Sequence, residues 1–182
     1  MRSRSATPAD FEAILALNEE SVHFLSPLDR ERLTALHAES ALHRVLLRDD
    51  AIIAFILAFR EGAAYDSVNY RWFAQRYPSF LYVDRVVVSQ SLQAGGAGTL
   101  LYRDAFNFAA AAAVPILACE FDVAPPNPVS EKFHAKFGFR EVGRQTAGQG
   151  KKMVSLQLAS TAAFASPIKV ADEQSGHQSL RD

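Results

Sequence analysis

The chain has 182 residues, 49% of them hydrophobic, and 19 Lys and Arg balance 20 Asp and Glu to a formal charge of -1 at pH 7. This length buries the core of one domain but not of two. The balanced charge excludes a global positive field that would gather nucleic acid or an anionic membrane, so neither is expected as a partner and function must come from a local site. The single cysteine, Cys119, cannot form an internal disulfide, and inside the apolar run "ILACEF" it reads as a buried inert thiol suited to a reducing interior. The start, "MRSRSATPADFE", has no apolar stretch of signal-peptide type, and the longest apolar runs are too short to span a membrane, so a cytoplasmic location is expected.

Along the chain, Thr7-Pro8 with Asp10, then Ser26-Pro27 with Asp29, each combine a hydroxyl N-cap, proline at the first helical position and an early acid, which predicts two helices. Phe11, Ile14 and Leu15 supply an apolar face to the first. "LHRVLLRDDAIIAFILAFREG" reads as a hairpin around Asp49-Asp50, its second strand too continuously apolar to face water on either side. "FLYVDRVVV" (80–88) is the next strand. After the turn "QAGGAG", Leu101, Ala105, Phe108 and Ala112 recur at helical spacing. "VPILACEFDV" is a strand stopped by "APPNP"; Asn127 and Pro128 start a helix that stops at Gly138, and two strands around "TAGQG" follow. The expected order is α α β β β α β α β β, a mixed α/β layer. Residues 1–158 are expected as one domain, and 159–182, sparse in patterned apolar residues, as a loosely attached or disordered tail without chemistry.

Three glycines between a strand and a helix suit a phosphate. A nucleoside-triphosphate loop needs a lysine, yet Gly98 is followed by Thr99 and Leu100. A dinucleotide fingerprint needs a third glycine where Leu101 stands, and it normally opens its fold rather than following some ninety residues. The pattern Gln93-x-x-Gly96-x-Gly98 after Val86-Val87-Val88 resembles the GNAT acetyltransferase superfamily, as does "NPVSEKFHAKFGF", with Asn127, Ser130, Phe133, Gly138 and Phe139 in register. The resemblance covers residues 2–158. It implies a central twisted mixed sheet of about six or seven strands with helices on both faces.

The resemblance further implies acetyl-CoA as acyl donor, its pyrophosphate on the turn Gln93, Ala94, Gly95, Gly96, Ala97, Gly98 and Thr99, where backbone amides and the helix dipole favour an anion. No arginine or lysine stands in this turn, so the cradle is neutral. The backbone carbonyl groups of Val86 and Val88 would hold the pantetheine arm, and the backbone amide near Val88 would polarise the thioester carbonyl. Asn127, Ser130 and Phe133 belong to the same cofactor-binding set. The acceptor implied is a primary amine of a small molecule or peptide that attacks directly, and an acyl-CoA-binding module with little transferase activity is the alternative.

His134 stands where this family commonly has a tyrosine general acid, and an imidazole can donate or accept near neutrality. Asp84 and Glu120 are two candidates for the base, each a carboxylate inside an apolar strand where an acid needs a reason to be; a salt bridge with an arginine such as Arg85 is the structural reading. Strict alternation would place Tyr82, Asp84, Val86 and Val88 on one face. The segment 65–80 holds six aromatics, and Tyr70, Arg71 and Trp72 are expected to line the acceptor site, with Phe73 and Phe80 more in keeping with the core. His23, His37 and His43 are scattered without metal-ligand spacing, so no metal is expected. An exposed strand edge at the C-terminal hairpin permits a homodimer.

Overall fold

A computed structural model describes residues 1–21, 25–92, 95–148, 150 and 152–164. Seven strands form one sheet in the order β1-β2-β3-β4-β5-β7-β6: β1 (Arg2–Ser5), β2 (Leu42–Arg48), β3 (Ala51–Arg60), β4 (Leu81–Val88), β5 (Ile116–Ala124), β6 (Arg140–Ala147) and β7 (Lys152–Ser160). All neighbours are antiparallel except β4 and β5. Five helices are α1 (Phe11–Glu20), α2 (Arg30–Glu39), α3 (Val68–Ala74), α4 (Ala97–Ala111) and α5 (Pro128–Ala135). The strand β1 and the helix α3 are additions to the expected order. β1 is four residues of alternating charge and Ser, "RSRS", with no apolar pattern to announce it.

Two local expectations hold and one shifts. Thr7 and Asp10 form a capping box over a 3-10 turn that leads into α1. Asp49 and Asp50 both adopt positive φ, 50° and 63°, the geometry of a two-residue hairpin turn whose twist matches its strands. The second helix, however, starts at Arg30 rather than after Ser26: the Asp29 carboxylate accepts from the Arg32 amide at 2.7 Å, and an acid at the N-cap outcompetes the earlier Ser-Pro pair.

Strand β3 separates two apolar layers. Ala54, Ile56 and Ala58 face α4, where Ala97, Ala105 and Ala109 let the helix lie close to the sheet. Phe55, Leu57 and Phe59 face α1, α2 and α3. Its side chains from Ile53 to Phe59 are thus buried on both sides, as its continuous hydrophobicity requires. The edge strand β6 bulges where Val142 lies between the paired Glu141 and Gly143, and it carries Arg140, Glu141 and Arg144, features that discourage edge-to-edge pairing.

The packed chain continues past the expected boundary at residue 158. β7 runs to Ser160, buried Thr161 donates from its hydroxyl to the Val114 carbonyl at 2.6 Å, and Phe164 stacks on Phe106 with centroids 4.2 Å apart. Apolar contact with α4, reached only in three dimensions, holds these residues to the domain.

Candidate active site

The site is built around a parting of strands. β4 and β5 pair only at Leu81↔Leu117 and Tyr82↔Ala118, and from there they diverge, leaving the facing edge of β4 without a strand partner among the described residues. A bulge helps to part them. Leu57 opposes Arg85 and Ala58 opposes Val83, so Asp84 is the extra residue on β4. The bulge also reverses the alternation expected for this strand. Val83, Val86 and Val88 contribute to the α4 layer, whereas Tyr82 and Val87 belong to the opposite one, and Asp84 bonds Tyr65 there, so Tyr82 and Asp84 do not share a face with Val86 and Val88. The Asp84 side chain is 7% exposed although the residue as a whole is half-buried, so its main chain is what the gap presents to solvent.

On the α4 side, three sequence-distant groups converge. Gly96 caps α4 in the left-handed conformation, φ 80° and ψ 0°, which a side chain disfavours, and Gly95 and Gly96 are exposed. A methyl group added at Gly98 would lie 3.4 Å from the Phe133 ring and 3.9 Å from Val88 Cγ2. Ala97 is buried under the helix and Thr99 is half-buried. The first amides of a helix have no partner within it, so this end of a 15-residue helix offers donors and a positive dipole without a cationic side chain. A pyrophosphate fits such a cradle. Gln93 and Ala94 lie outside the described residues. Asn127 uses its side chain as the N-cap of α5, accepting from the Ser130 amide at 3.1 Å.

His134 is enclosed. Its Nδ1 lies 2.7 Å from the Ser130 carbonyl and 3.2 Å from Ser130 Oγ, and its Nε2 lies 2.6 Å from the Tyr102 hydroxyl. A carbonyl can only accept, so Nδ1 carries the proton and Tyr102 donates to Nε2. Phe121 stacks on the ring, and burial pushes its pKa below the ordinary value. Burial renders both the Tyr102 hydroxyl and the Cys119 thiol hard to ionise.

On the α3 side lies an acidic cluster. Glu120 Oε1 accepts from the Tyr82 hydroxyl at 2.9 Å and from Asn69 Nδ2 at 2.8 Å, while Oε2 is buried with no hydrogen-bond partner. Burial raises the Glu120 pKa to about 8 against the opposing pull of the Tyr82 and Asn69 donors, with Asp84 adding to the rise. Asp84 accepts from the Tyr65 hydroxyl and pairs with Arg85 at 2.7 Å, and Arg85 Nη1 donates to Asn18 of α1 at 2.8 Å. Both acids therefore stand at the parting, one on each strand. Asp84 makes the ion pair that its neighbour in sequence suggested; Glu120 makes none among the described residues.

The expected acceptor wall divides. Tyr70 is a core residue, 3% exposed, its hydroxyl donating to the Arg60 carbonyl at 2.8 Å and accepting from the Ala63 amide at 2.9 Å, so the structure corrects its assignment to the substrate. Phe73 and Phe80 are fully buried. Trp72 is half-buried, its ring against Gly143 of β6, with the Arg76 guanidinium 4.1 Å from its centroid. Arg71 is exposed. Sequence reasoning passed over Asn69, which meets Glu120, Tyr102, which meets His134, and Gln145, which meets Asn69, and it took Tyr65, which meets Asp84, only as one of six aromatics; nothing local in the sequence signals these partners. His37 and His43, scattered in sequence, bring their Nδ1 atoms to 2.8 Å. His23 lies outside the described residues, among which no group of three potential metal ligands occurs.

The sequence matches the acetyltransferase (GNAT) family over residues 10–139. No curated protein matches it. Among solved structures, the ribosomal-protein-S18-alanine N-acetyltransferase of Escherichia coli superposes with a TM-score of 0.67 at 13% identity, over 88% of this chain and 93% of that one. Naa20 of Chaetomium thermophilum, solved with a bisubstrate analogue, gives 0.70 at 16% identity over 88% and 86%. YncA of Salmonella typhimurium, a putative acetyltransferase solved with its cofactor acetyl-CoA, gives 0.68 at 15% identity over 92% and 97%.

Proposed function

The chain belongs to the acetyltransferase (GNAT) family and is an acyltransferase, and from this premise we propose that it moves an acetyl group from acetyl-CoA to a primary amine of a small molecule or peptide, in the cytoplasm, by direct attack. The observation that carries the reading is the meeting, at one parting of strands, of a phosphate-competent helix start on one face and a buried, partnerless carboxyl oxygen on the other. Acetyl-CoA, when bound, supplies a thioester whose C–S bond breaks as the new C–N bond forms. Gly95, Gly96, Ala97, Gly98 and Thr99 hold its pyrophosphate, with Phe133 packed behind Gly98. The open backbone edge of β4 at Val86 and Val88 holds its arm.

Glu120 removes the proton from the incoming ammonium, and an acid poised to about 8 is matched to that task near neutral pH. Asp84, already paired with Arg85, contributes negative charge that favours a cationic acceptor. The proton the amine sheds on forming the amide goes to the departing sulfur, with His134 as the nearby imidazole. His134 would need to exchange its bond with Tyr102 to deliver it.

A thermal-shift titration with acetyl-CoA, CoA, NAD and ATP tests the donor. A ligand at 100 times its Kd adds about 2.7 kcal/mol of stability. Shifts with acetyl-CoA and CoA alone, followed by amine-dependent thiol release, are the expected result. Shifts without thiol release across a panel of amines would replace the transferase with an acyl-CoA-binding module.

A further inference from the structure

Resting on Glu120 as the base, we propose that Asn69 of α3 and Gln145 of β6 are positioning residues that select Oε2 of Glu120 as the oxygen that takes the acceptor's proton. Asn69 is 7% exposed, and its two amide atoms have opposite duties. Nδ2 donates to Glu120 Oε1 at 2.8 Å, and Oδ1 accepts from Gln145 Nε2. The bond from Gln145 fixes which end of the Asn69 amide faces the acid. An amide turned the other way would set a carbonyl oxygen against a carboxylate.

The outcome is an unequal carboxyl group. Oε1 already accepts from both Asn69 and the Tyr82 hydroxyl, while Oε2 accepts from nothing. A proton arriving at Glu120 settles on Oε2, where no donor opposes it. Both donors meanwhile favour the charged form and counter the burial that opposes it, which keeps the group able to release that proton. Gln145 reaches this acid only through Asn69. The contact joins the third helix to the outermost strand, 76 residues apart in sequence.

The test reads the carboxyl itself. In protein labelled with 13C at glutamate carboxyls, the Glu120 resonance is the one missing from Glu120→Gln. It is expected to titrate above neutrality in the parent chain. Asn69→Ala removes a donor, and Gln145→Glu draws the Asn69 amide round so that its oxygen faces Glu120. Each is expected to move the Glu120 titration up by about one pH unit. The acid limb of the kcat/KM profile for thiol release is expected to move with it. Gln145 is half-buried on an edge strand, so its variant keeps the fold if Asn69→Ala does not. A titration left in place by Gln145→Glu overturns the inference. Its failure is distinct from that of the base assignment, which falls if Glu120→Gln keeps the parental rate of thiol release.

Discussion

The two sides of the parted strands are made from opposite materials. On the α4 side the chain offers glycines, an alanine, a helix dipole and the Phe133 ring, with no charged side chain in the described part of the turn. On the α3 side it buries two carboxyls, two tyrosines and an amide, held by hydrogen bonds between residues 65, 69, 82, 84, 120 and 145. A surface made of backbone tolerates little change in shape. A cluster of buried ionisable groups tolerates little change in charge. Substitutions on the two sides should therefore fail in different ways.

The largest effect is expected from Glu120→Gln. Loss of a general base costs about a hundredfold to ten-thousandfold in kcat/KM, read by thiol release, with little change in the KM for acetyl-CoA. The same variant should melt at higher temperature. Between pH 4.5, the ordinary value, and about 8, the native chain keeps a proton that the unfolded chain has released. Native protein thus binds more protons across that window, and Glu120 makes stability fall as pH rises through it, by an amount on the order of 3 kcal/mol at neutral pH. Melting temperatures of parent and variant should converge near pH 4.5 and separate toward pH 8. Parallel curves would show that Glu120 is not held in its neutral form.

Gly98→Leu probes the other side. Its side chain would enter the space between Phe133 and Val88, and the KM for acetyl-CoA should rise about tenfold, the loss of about 1.4 kcal/mol of binding. The pH profile of kcat should stay where it is, because the acid cluster is untouched; a shifted profile would mean that the two sides are coupled. Tyr70→Phe should cost about 1 to 3 kcal/mol of stability in a denaturant titration, since the Arg60 carbonyl and the Ala63 amide both lose their partner. Its acceptor KM should not change, as befits a core residue. Arg71→Ala is expected to have the smallest effect, a few-fold rise in acceptor KM with acetyl-CoA binding spared, from the weak screened field of an exposed charge. Equal losses for both substrates would remove Arg71 from the acceptor site.

The glycine side was legible because its determinants are contiguous. Gly96 in a left-handed cap, followed by a helix rich in alanine, is a local arrangement that a short stretch specifies. The same holds for the α5 match, where Asn127 caps and Phe133 meets Gly98. On the acid side only Asp84 and Glu120 stood out, as charges in apolar strands. Tyr70 was misread because a tyrosine in an aromatic run looks alike in a core and in a substrate wall until its hydroxyl finds backbone partners.

What the sequence by itself determined is therefore what backbone conformation within a few residues decides: the Thr7 and Asp10 cap, the Asp49-Asp50 turn, the doubly buried β3 and the glycine start of α4. What only the tertiary structure decided is where the chain abandons regularity and which distant groups share a proton. The bulge at Asp84 exists only relative to β3, the parting of β4 and β5 only relative to each other, and the elevated pKa of Glu120 only through its burial and the nearby Asp84, against the donors that α3 and β4 supply. Hydrogen bonds and desolvation act over a few ångströms of space, and no periodicity along the chain encodes which residues will meet there.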